Sequence, residues 1–184
     1  MYYRIFSKIY QRAARKMCLA CQNFIEEGSK ILDLGCGSGI VGMTFKKFFR
    51  GEIIGVDVKD RRVVNMPFKI IDGKSLPFPE NSFDVTLINY VLHHSEDPIP
   101  LLKEAKRVSK KIIIFEDLPE GFLSKLICSL HRFSFDKFFT NPNQTSFKTE
   151  KEWEEIFQEM GLDMLYKERR HDFPVKKELF ILGA

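Results

Sequence analysis

Four short stretches carry residue types that could do chemistry. The first is Asp33-Leu34-Gly35-Cys36-Gly37-Ser38-Gly39, an acid followed by three alternating glycines. Glycines at that spacing allow a tight turn and let a ligand approach the backbone without meeting Cβ atoms. The second is Asp57-Val58, which closes an apolar run. The third is Asp72-Gly73, and the fourth is Asn89-Tyr90-Val91-Leu92-His93-His94. A carboxylate at Asp57 suits a ribose diol, because an ionised acid only accepts hydrogen bonds. A second carboxylate at Asp72 can accept from the exocyclic amine of a purine. Together they read an adenosine. His93, His94 and Tyr90 are the side chains there that could move a proton.

The elements that must position these groups follow from periodicity. Ile31–Leu34, Glu52–Asp57, Phe68–Ile71, Phe83–Asn89 and Lys111–Glu116 read as buried strands, and Ile40–Phe49 and Pro98–Val108 as helices. Each chemical stretch falls at the carboxyl end of a strand. Strands alternating with helices predict an α/β, Rossmann-like, doubly wound sheet, which binds ligands at that end. The connection Val58–Pro67 is short for a parallel crossover. Lys74–Ser82, with Pro77, Pro79 and Asn81, reads as a loop. Thr149 is a predicted N-cap for a helix through Met160, ended by Gly161. Leu162–Arg169 and Glu178–Leu182 read as closing strands.

Residues 2–25 predict an amphipathic helix with Ile5, Ile9, Ala13, Met17, Ala20 and Phe24 as its apolar face. Arg4, Lys8, Arg12, Arg15 and Lys16 form the other face. That face reads first as a solvated basic surface. A lid over the cofactor and an interfacial membrane contact are the sharper alternatives. Tyr2, Tyr3, Phe6 and Tyr10 give such a lid aromatic groups, and Tyr3 or Tyr10 could face a cation. Residues 118–147 interrupt the alternation with a Phe-rich stretch, part of the chain's 18 phenylalanines.

The 184 residues suit one domain, and 44% hydrophobic with 29% charged residues supports a real core. A net charge of +4 is too mild to argue for nucleic acid. The four cysteines, Cys18, Cys21, Cys36 and Cys128, include one lone C-x-x-C. Zinc normally takes four ligands, so no metal site is expected, and all four read as reduced cytosolic thiols. No leader-like apolar region is read at the N-terminus, which leads to a cytoplasmic expectation, with peripheral membrane contact left open. The oligomeric state is not legible.

A dinucleotide site competes with the adenosine reading. Gly37-Ser38-Gly39-Ile40-Val41-Gly42 fits G-x-G-x-x-G, and Asp57 lies 20 residues beyond Gly37. Against NAD stand the small room left for a substrate domain and the additional Asp33 and Gly35. Leu32–Gly39 resembles the first motif of class I S-adenosylmethionine-dependent methyltransferases. Leu76-Pro77-Phe78-Pro79-Glu80-Asn81-Ser82-Phe83-Asp84-Val85, and Val91-Leu92-His93-His94 before Asp97-Pro98, resemble the type 11 group of that superfamily. The resemblance is strong from Lys30 to Glu116 and weaker beyond.

The resemblance implies a seven-stranded sheet, mostly parallel, whose antiparallel last strand is inserted by a hairpin. It implies a single methyltransferase domain over residues 1–184, with 1–25 as a lid helix and 118–147 as a substrate-side insert. The cofactor would be S-adenosyl-L-methionine, leaving as S-adenosyl-L-homocysteine. Gly35, Cys36, Gly37 and Gly39 would bring backbone to its methionine part, and Asp33 would orient the amino group through water. Asp57 would hold the ribose, Val58 pack on adenine, Asp72 take the adenine amine and Gly73 donate backbone. Asn89 would contact the methionine end through its carbonyl. His93, His94 and Tyr90 are the candidate bases toward a small-molecule methyl acceptor, hydrophobic or lipid-like. A cofactor-binding protein without catalysis, and an NAD-binding Rossmann protein, are the alternatives.

Overall fold

The computed structural model describes residues 7–95, 97–118, 147–170 and 176–184. In chain order the elements are α1 (Ser7–Ala20), β1 (Lys30–Leu34), α2 (Ile40–Phe49), β2 (Glu52–Asp57), β3 (Phe68–Ile70) and β4 (Phe83–Asn89). A 3-10 turn (Leu92–His94), α3 (Ile99–Val108), β5 (Ser109–Leu118), α4 (Glu150–Glu159), β6 (Asp163–Arg170) and β7 (Lys176–Gly183) follow. They build a 7-stranded sheet in the order β3-β2-β1-β4-β5-β7-β6. Strands β1 to β5 pair in parallel, and β7 runs antiparallel between β5 and β6. The order reverses beside β1, so the chain leaves β1 and β4 toward helices on opposite faces of the sheet, the point at which such sheets bind ligands beyond the carboxyl ends of their strands.

Alternation along the strands divides the core. On β5, Ile112, Ile114 and Leu118 join one cluster with Leu101, Leu102 and Ala105 of α3 and Trp153 and Phe157 of α4. Ile113 and Phe115 join the other cluster with Met17 and Cys18 of α1 and Phe45 and Phe49 of α2. Both faces of the sheet are therefore covered, as a parallel sheet requires. Strand β5 is longer than the expected Lys111–Glu116, because its continuation to Leu118 pairs with β7 down to Lys176.

The helix over residues 2–25 is found as α1, and its expected apolar face holds in part: Met17 is buried and Ala20 and Phe24 pack against the same cluster, while the first half of the face is displaced. Ile9 and Ala13 are exposed, and Ala14, Met17 and Cys18 are buried, with Cys21 and Ile25 beyond the helix end. The cysteines were expected as thiols rather than as core, yet free cysteine behaves as a small hydrophobe. Cys21 Sγ donates to the Met17 carbonyl at 3.0 Å, and burial pushes the Cys18 thiol up to about 12. Tyr2, Tyr3 and Phe6 lie outside the described residues, as do residues 119–146 of the insert, with Cys128. Among the described residues no helix is long and apolar enough to cross a membrane, and no cluster suits a metal.

The connection from β2 to β3 holds no helix. Arg62 organises it, with Nε donating to Asp60 Oδ1 at 2.9 Å and Nη1 donating to the Met66 carbonyl. The Lys74–Ser82 loop is fastened to α3 by one ion pair. Glu104 Oε2 accepts from the Leu76 N–H at 2.7 Å, and Arg107 donates to the carbonyls of Phe78 at 2.8 Å and Leu76 at 3.0 Å. Thr149 caps α4 as expected, in a reciprocal box with Glu152. Lys106 Nζ then donates to the carbonyls of Met160 and Gly161, each at 2.8 Å, at the negative end of α4.

Candidate active site

The glycine turn after β1 is tied to β2 before any side chain contributes. The N–H groups of Gly35 and Cys36 donate to the Val56 carbonyl at 2.9 and 3.1 Å. Gly35 has φ +72, and a Cβ there would lie 2.4 Å from Val91 Cγ2. That contact packs the turn against the chain leaving β4. Gly37 has φ +50, and a Cβ there would meet nothing within 4 Å. The turn thus presents bare backbone toward open space, which is what a ligand needs.

Asp57 closes this cradle from β2. Its Oδ2 accepts from the Gly37 N–H at 2.9 Å, and its Oδ1 from the Lys59 N–H at 3.4 Å. Beside it, Val58 is 49% exposed, a large apolar side chain left on the surface at a strand end. Gly73, at φ +80, faces Val58 closely enough that a Cβ would lie 3.3 Å from Val58 Cγ1. Val58 and Gly73 therefore form one small apolar shelf. Asp72 is exposed and already holds its own turn. Lys74 N–H and Ser75 N–H donate to Oδ1 at 2.8 Å each, and Ser75 Oγ donates to Oδ2 at 3.0 Å. These bonds keep its carboxyl below the usual range, and Oδ2 retains room for one more donor.

Asp33 sits under the turn and is buried. Its Oδ2 has no hydrogen-bond partner, and a Cβ on Gly42 would come within 2.3 Å of it. Burial first, and the nearby Asp57 charge second, push its carboxyl up to about 7, with the Gly42 N–H opposing. Asn89 ends β4 with both side-chain amide atoms buried and without partners. Unsatisfied buried polar atoms are costly, and two such residues at adjoining strand ends mark a place built to meet something polar. The Cys36 side chain points elsewhere. Its Sγ packs toward Gly55 in the α1–α2 side of the core, and burial raises its pKa well above the ordinary value, so only its backbone serves the turn.

The residues present fit an adenosine bearing a methionine. Asp57 offers two acceptors at the cradle, Val58 and Gly73 a small apolar shelf, and Asp33 a buried carboxyl beneath it that an approaching cation would ionise. The unpartnered Asn89 amide adds polar capacity at the far end.

The three candidate proton carriers are placed differently. Tyr90 has φ +55, an uncommon conformation for a large side chain, and Lys177 Nζ lies 5.3 Å from its ring centre. His94 is exposed and His93 buried, with their rings 4.0 Å apart. His93 Nδ1 is bonded to Glu116 Oε1, and its ring stacks on Phe147 at 4.9 Å. Glu116 is also buried, and it accepts from Leu92 N–H at 3.2 Å and Asp117 N–H at 3.0 Å. Glu116 was not among the expected site residues. The available signal was an acid on the inward-facing register of an isoleucine-rich strand.

Residues 32–114 match a family model described as a methyltransferase domain. An uncharacterised methyltransferase of Schizosaccharomyces pombe is 33% identical over 106 residues, 47% of this chain and 38% of that protein. A demethylmenaquinone methyltransferase of a Geobacillus species is 31% identical over 111 residues, 50% of this chain and 47% of that one. A solved S-adenosylmethionine-dependent methyltransferase of Methanosarcina mazei superposes with a TM-score of 0.70 at 21% identity. That superposition covers 90% of this chain and 96% of the other. The chain spans between 38% and 62% of the length of the first curated relatives it matches.

Proposed function

From the methyltransferase-domain match over residues 32–114, we propose that this chain is a class I S-adenosylmethionine-dependent methyltransferase of the type 11 group and that it methylates a small, hydrophobic acceptor. The observation that carries the cofactor half is the Asp57 carboxylate across the glycine turn, 2.9 Å from the Gly37 N–H and beside the Val58–Gly73 shelf. A ribose diol donates two hydrogen bonds to that carboxylate, and adenine covers the exposed valine. When bound, S-adenosylmethionine supplies a methyl group on a cationic sulfur, ready for in-line displacement.

The chain's own residues contribute position. Gly35, Gly37 and Gly39 hold backbone close to the methionine part, and the Asp33 charge attracts its ammonium group. The Glu104–Arg107 pair holds the Asp72 loop at the adenine side. Alignment of this kind supplies much of the rate in such a transfer. The preference for a hydrophobic acceptor draws on the Phe-rich sequence of residues 118–147 and on relatives such as the demethylmenaquinone methyltransferase.

The test is calorimetric titration of the full chain. S-adenosylhomocysteine is expected to bind saturably, and NAD to give no heat. The Asp57→Ala variant is expected to lose about 1.5–3 kcal/mol of binding free energy, the scale of hydrogen bonds to a charge. Saturable NAD binding with no response to S-adenosylhomocysteine overturns the proposal.

One observation favours a membrane-peripheral setting as a second reading. The outward half of α1 carries Lys8, Arg12, Arg15 and Lys16 together with Ile9 and Leu19, which are 61% and 50% exposed. Basic and apolar groups mixed on one helix face suit the headgroup region of an anionic bilayer.

A further inference from the structure

We propose that Glu116 is a positioning residue that makes His93 the proton acceptor of the reaction. The methyl acceptor is then a group that loses a proton as it is methylated. This rests on the methyltransferase reading above and adds the acceptor's chemical class: a phenolic or enolic oxygen, or a ring carbon of a hydroquinone. A thioether or tertiary amine has no proton to give and needs no base.

The geometry supports this in three steps. Glu116 is 1% exposed, and its two oxygens take the Leu92 and Asp117 N–H groups as well as His93 Nδ1. A carboxylate fixed by two backbone donors cannot turn away from the imidazole. It holds a proton at Nδ1, and this tautomer puts the basic lone pair on Nε2. Phe147 stacks on the ring with the planes 16° apart, which fixes its remaining freedom. The pair also stands at the right place. His93 lies in the 3-10 turn that follows the end of β4 at Asn89, and Glu116 follows Phe115, the β5 partner of Asn89.

Among the described residues, the charged and titratable neighbours come from β5, the 3-10 turn and β7, with Asp117 next to Glu116 on β5. Glu116 faces His93 from β5, and His94 adjoins it on the same turn. Glu178 lies opposite Glu116 across the β5–β7 ladder, and Arg169 Nε donates to Glu178 at 3.2 Å. Lys177 lies over Tyr90. The Glu116 carboxylate, bonded to Nδ1, compensates the positive charge that the imidazole gains when it takes the acceptor's proton.

In the proposed step the acceptor's electron pair forms the new bond to the methyl carbon. The electrons of the methyl–sulfur bond remain on sulfur, which becomes neutral. The acceptor's proton passes to Nε2 of His93, and the imidazolium, paired with Glu116, returns it to solvent.

The experiment has a spectroscopic and a kinetic arm. Nitrogen-15 NMR of the imidazoles across pH is expected to show His93 as the Nδ1–H tautomer. In Glu116→Gln its titration midpoint moves to lower pH, and Glu116→Asp restores part of the shift. With 1,4-naphthohydroquinone as probe, His93→Gln is expected to lose roughly 10²–10⁴-fold in kcat, the range of general-base catalysis. Glu116→Gln should lose a smaller factor and move the acid limb of the pH–rate profile down, with S-adenosylhomocysteine affinity unchanged in both. An Nε2–H tautomer in the unaltered protein overturns the proposal whatever the probes do. So does an unmoved midpoint in Glu116→Gln, or turnover of a thioether or tertiary amine probe in place of the hydroquinone. Failure of the methyltransferase reading shows separately, as absent S-adenosylhomocysteine binding.

Discussion

Replacing Asp33 with Asn is expected to make the unliganded protein more stable at neutral pH while weakening its cofactor binding. Asp33 is 1% exposed, one of its oxygens lacks a partner, and its carboxyl is raised from 3.8 to about 7. The folded state therefore holds this proton more tightly than the unfolded chain does. Between those two values the folded state is protonated and the unfolded state is not, so stability falls by about 1.4 kcal/mol for each pH unit. Across the roughly three units separating them, the loss is about 4 kcal/mol. The stabilising contribution is complete below pH 4 and lost as pH rises through about 7. Asn is neutral throughout and escapes the penalty, but its buried amide gives back about 1–3 kcal/mol in unmade hydrogen bonds. A net gain of about 1–3 kcal/mol at pH 8 is expected, vanishing or reversing near pH 4.

Trp153, the chain's one tryptophan and 1% exposed, reports unfolding in guanidinium. The other carboxylates titrate in both proteins, so the difference between the two pH profiles isolates Asp33. Binding supplies the second readout. A ligand ammonium favours the charged carboxylate, so the unaltered protein should bind S-adenosylhomocysteine more weakly as pH falls below about 7. Asp33→Asn should bind more weakly at pH 8, with a flatter pH dependence. Parallel stability profiles for the two proteins, or a variant less stable at pH 8, would refute the reasoning.

Gly42→Ala should destabilise by about 1–3 kcal/mol in thermal melts, because its Cβ would stand 2.3 Å from Asp33 Oδ2 and 2.9 Å from Ile53 Cδ1. A stabilised variant would mean that helix propensity outweighs this contact. Thr149→Ala breaks the capping box of α4 and should cost about 0.5–2 kcal/mol by denaturant titration, with cofactor affinity untouched. Arg107→Met removes two of the bonds that hold the Lys74–Ser82 loop to α3, leaving the Leu76 N–H donating to Glu104 and the Asn81 N–H donating to the residue-107 carbonyl. It should weaken S-adenosylhomocysteine binding several-fold by calorimetry, and unchanged affinity would show that the loop holds its place without the ion pair. For the membrane setting, deleting residues 1–25 is a poor test, since Met17, Cys18, Cys21 and Ile25 belong to the core. Charge reversal at Lys8, Arg12, Arg15 and Lys16 is expected instead to abolish salt-sensitive sedimentation with anionic vesicles. Equal sedimentation of both proteins counts against it.

Most of the sheet was legible because strands buried on both faces are short, apolar and bounded by glycine, proline or charge. The run Ile112-Ile113-Ile114-Phe115 has few other uses. The glycine turn and Asp57 were legible for a related reason: backbone that must approach a ligand restricts residue type at fixed spacing. The face of α1 was legible at Met17 and Ala20 and misplaced at Ile9 and Ala13, because Cys18 and Cys21 were treated by their chemistry, whereas packing used them as small apolar groups. The length of β5 was missed because its last residues are held by β7, some 60 positions later in the chain.

What the amino-acid sequence determined alone is local: where strands end, where backbone bends, and which acids stand at those ends. Such features depend on neighbours a few residues apart, so composition and spacing encode them. What tertiary structure decided is pairwise and distant. Asp57 meets Gly37 because β1 and β2 lie in register. Asp33 became a strained acid only when α2 and the Asp57 charge closed over it. Glu116 was one acid among 25 Asp and Glu residues until β4 and β5 paired and set it against His93. A residue's type says which bonds it can make; burial and the partner across the sheet decide which one it makes.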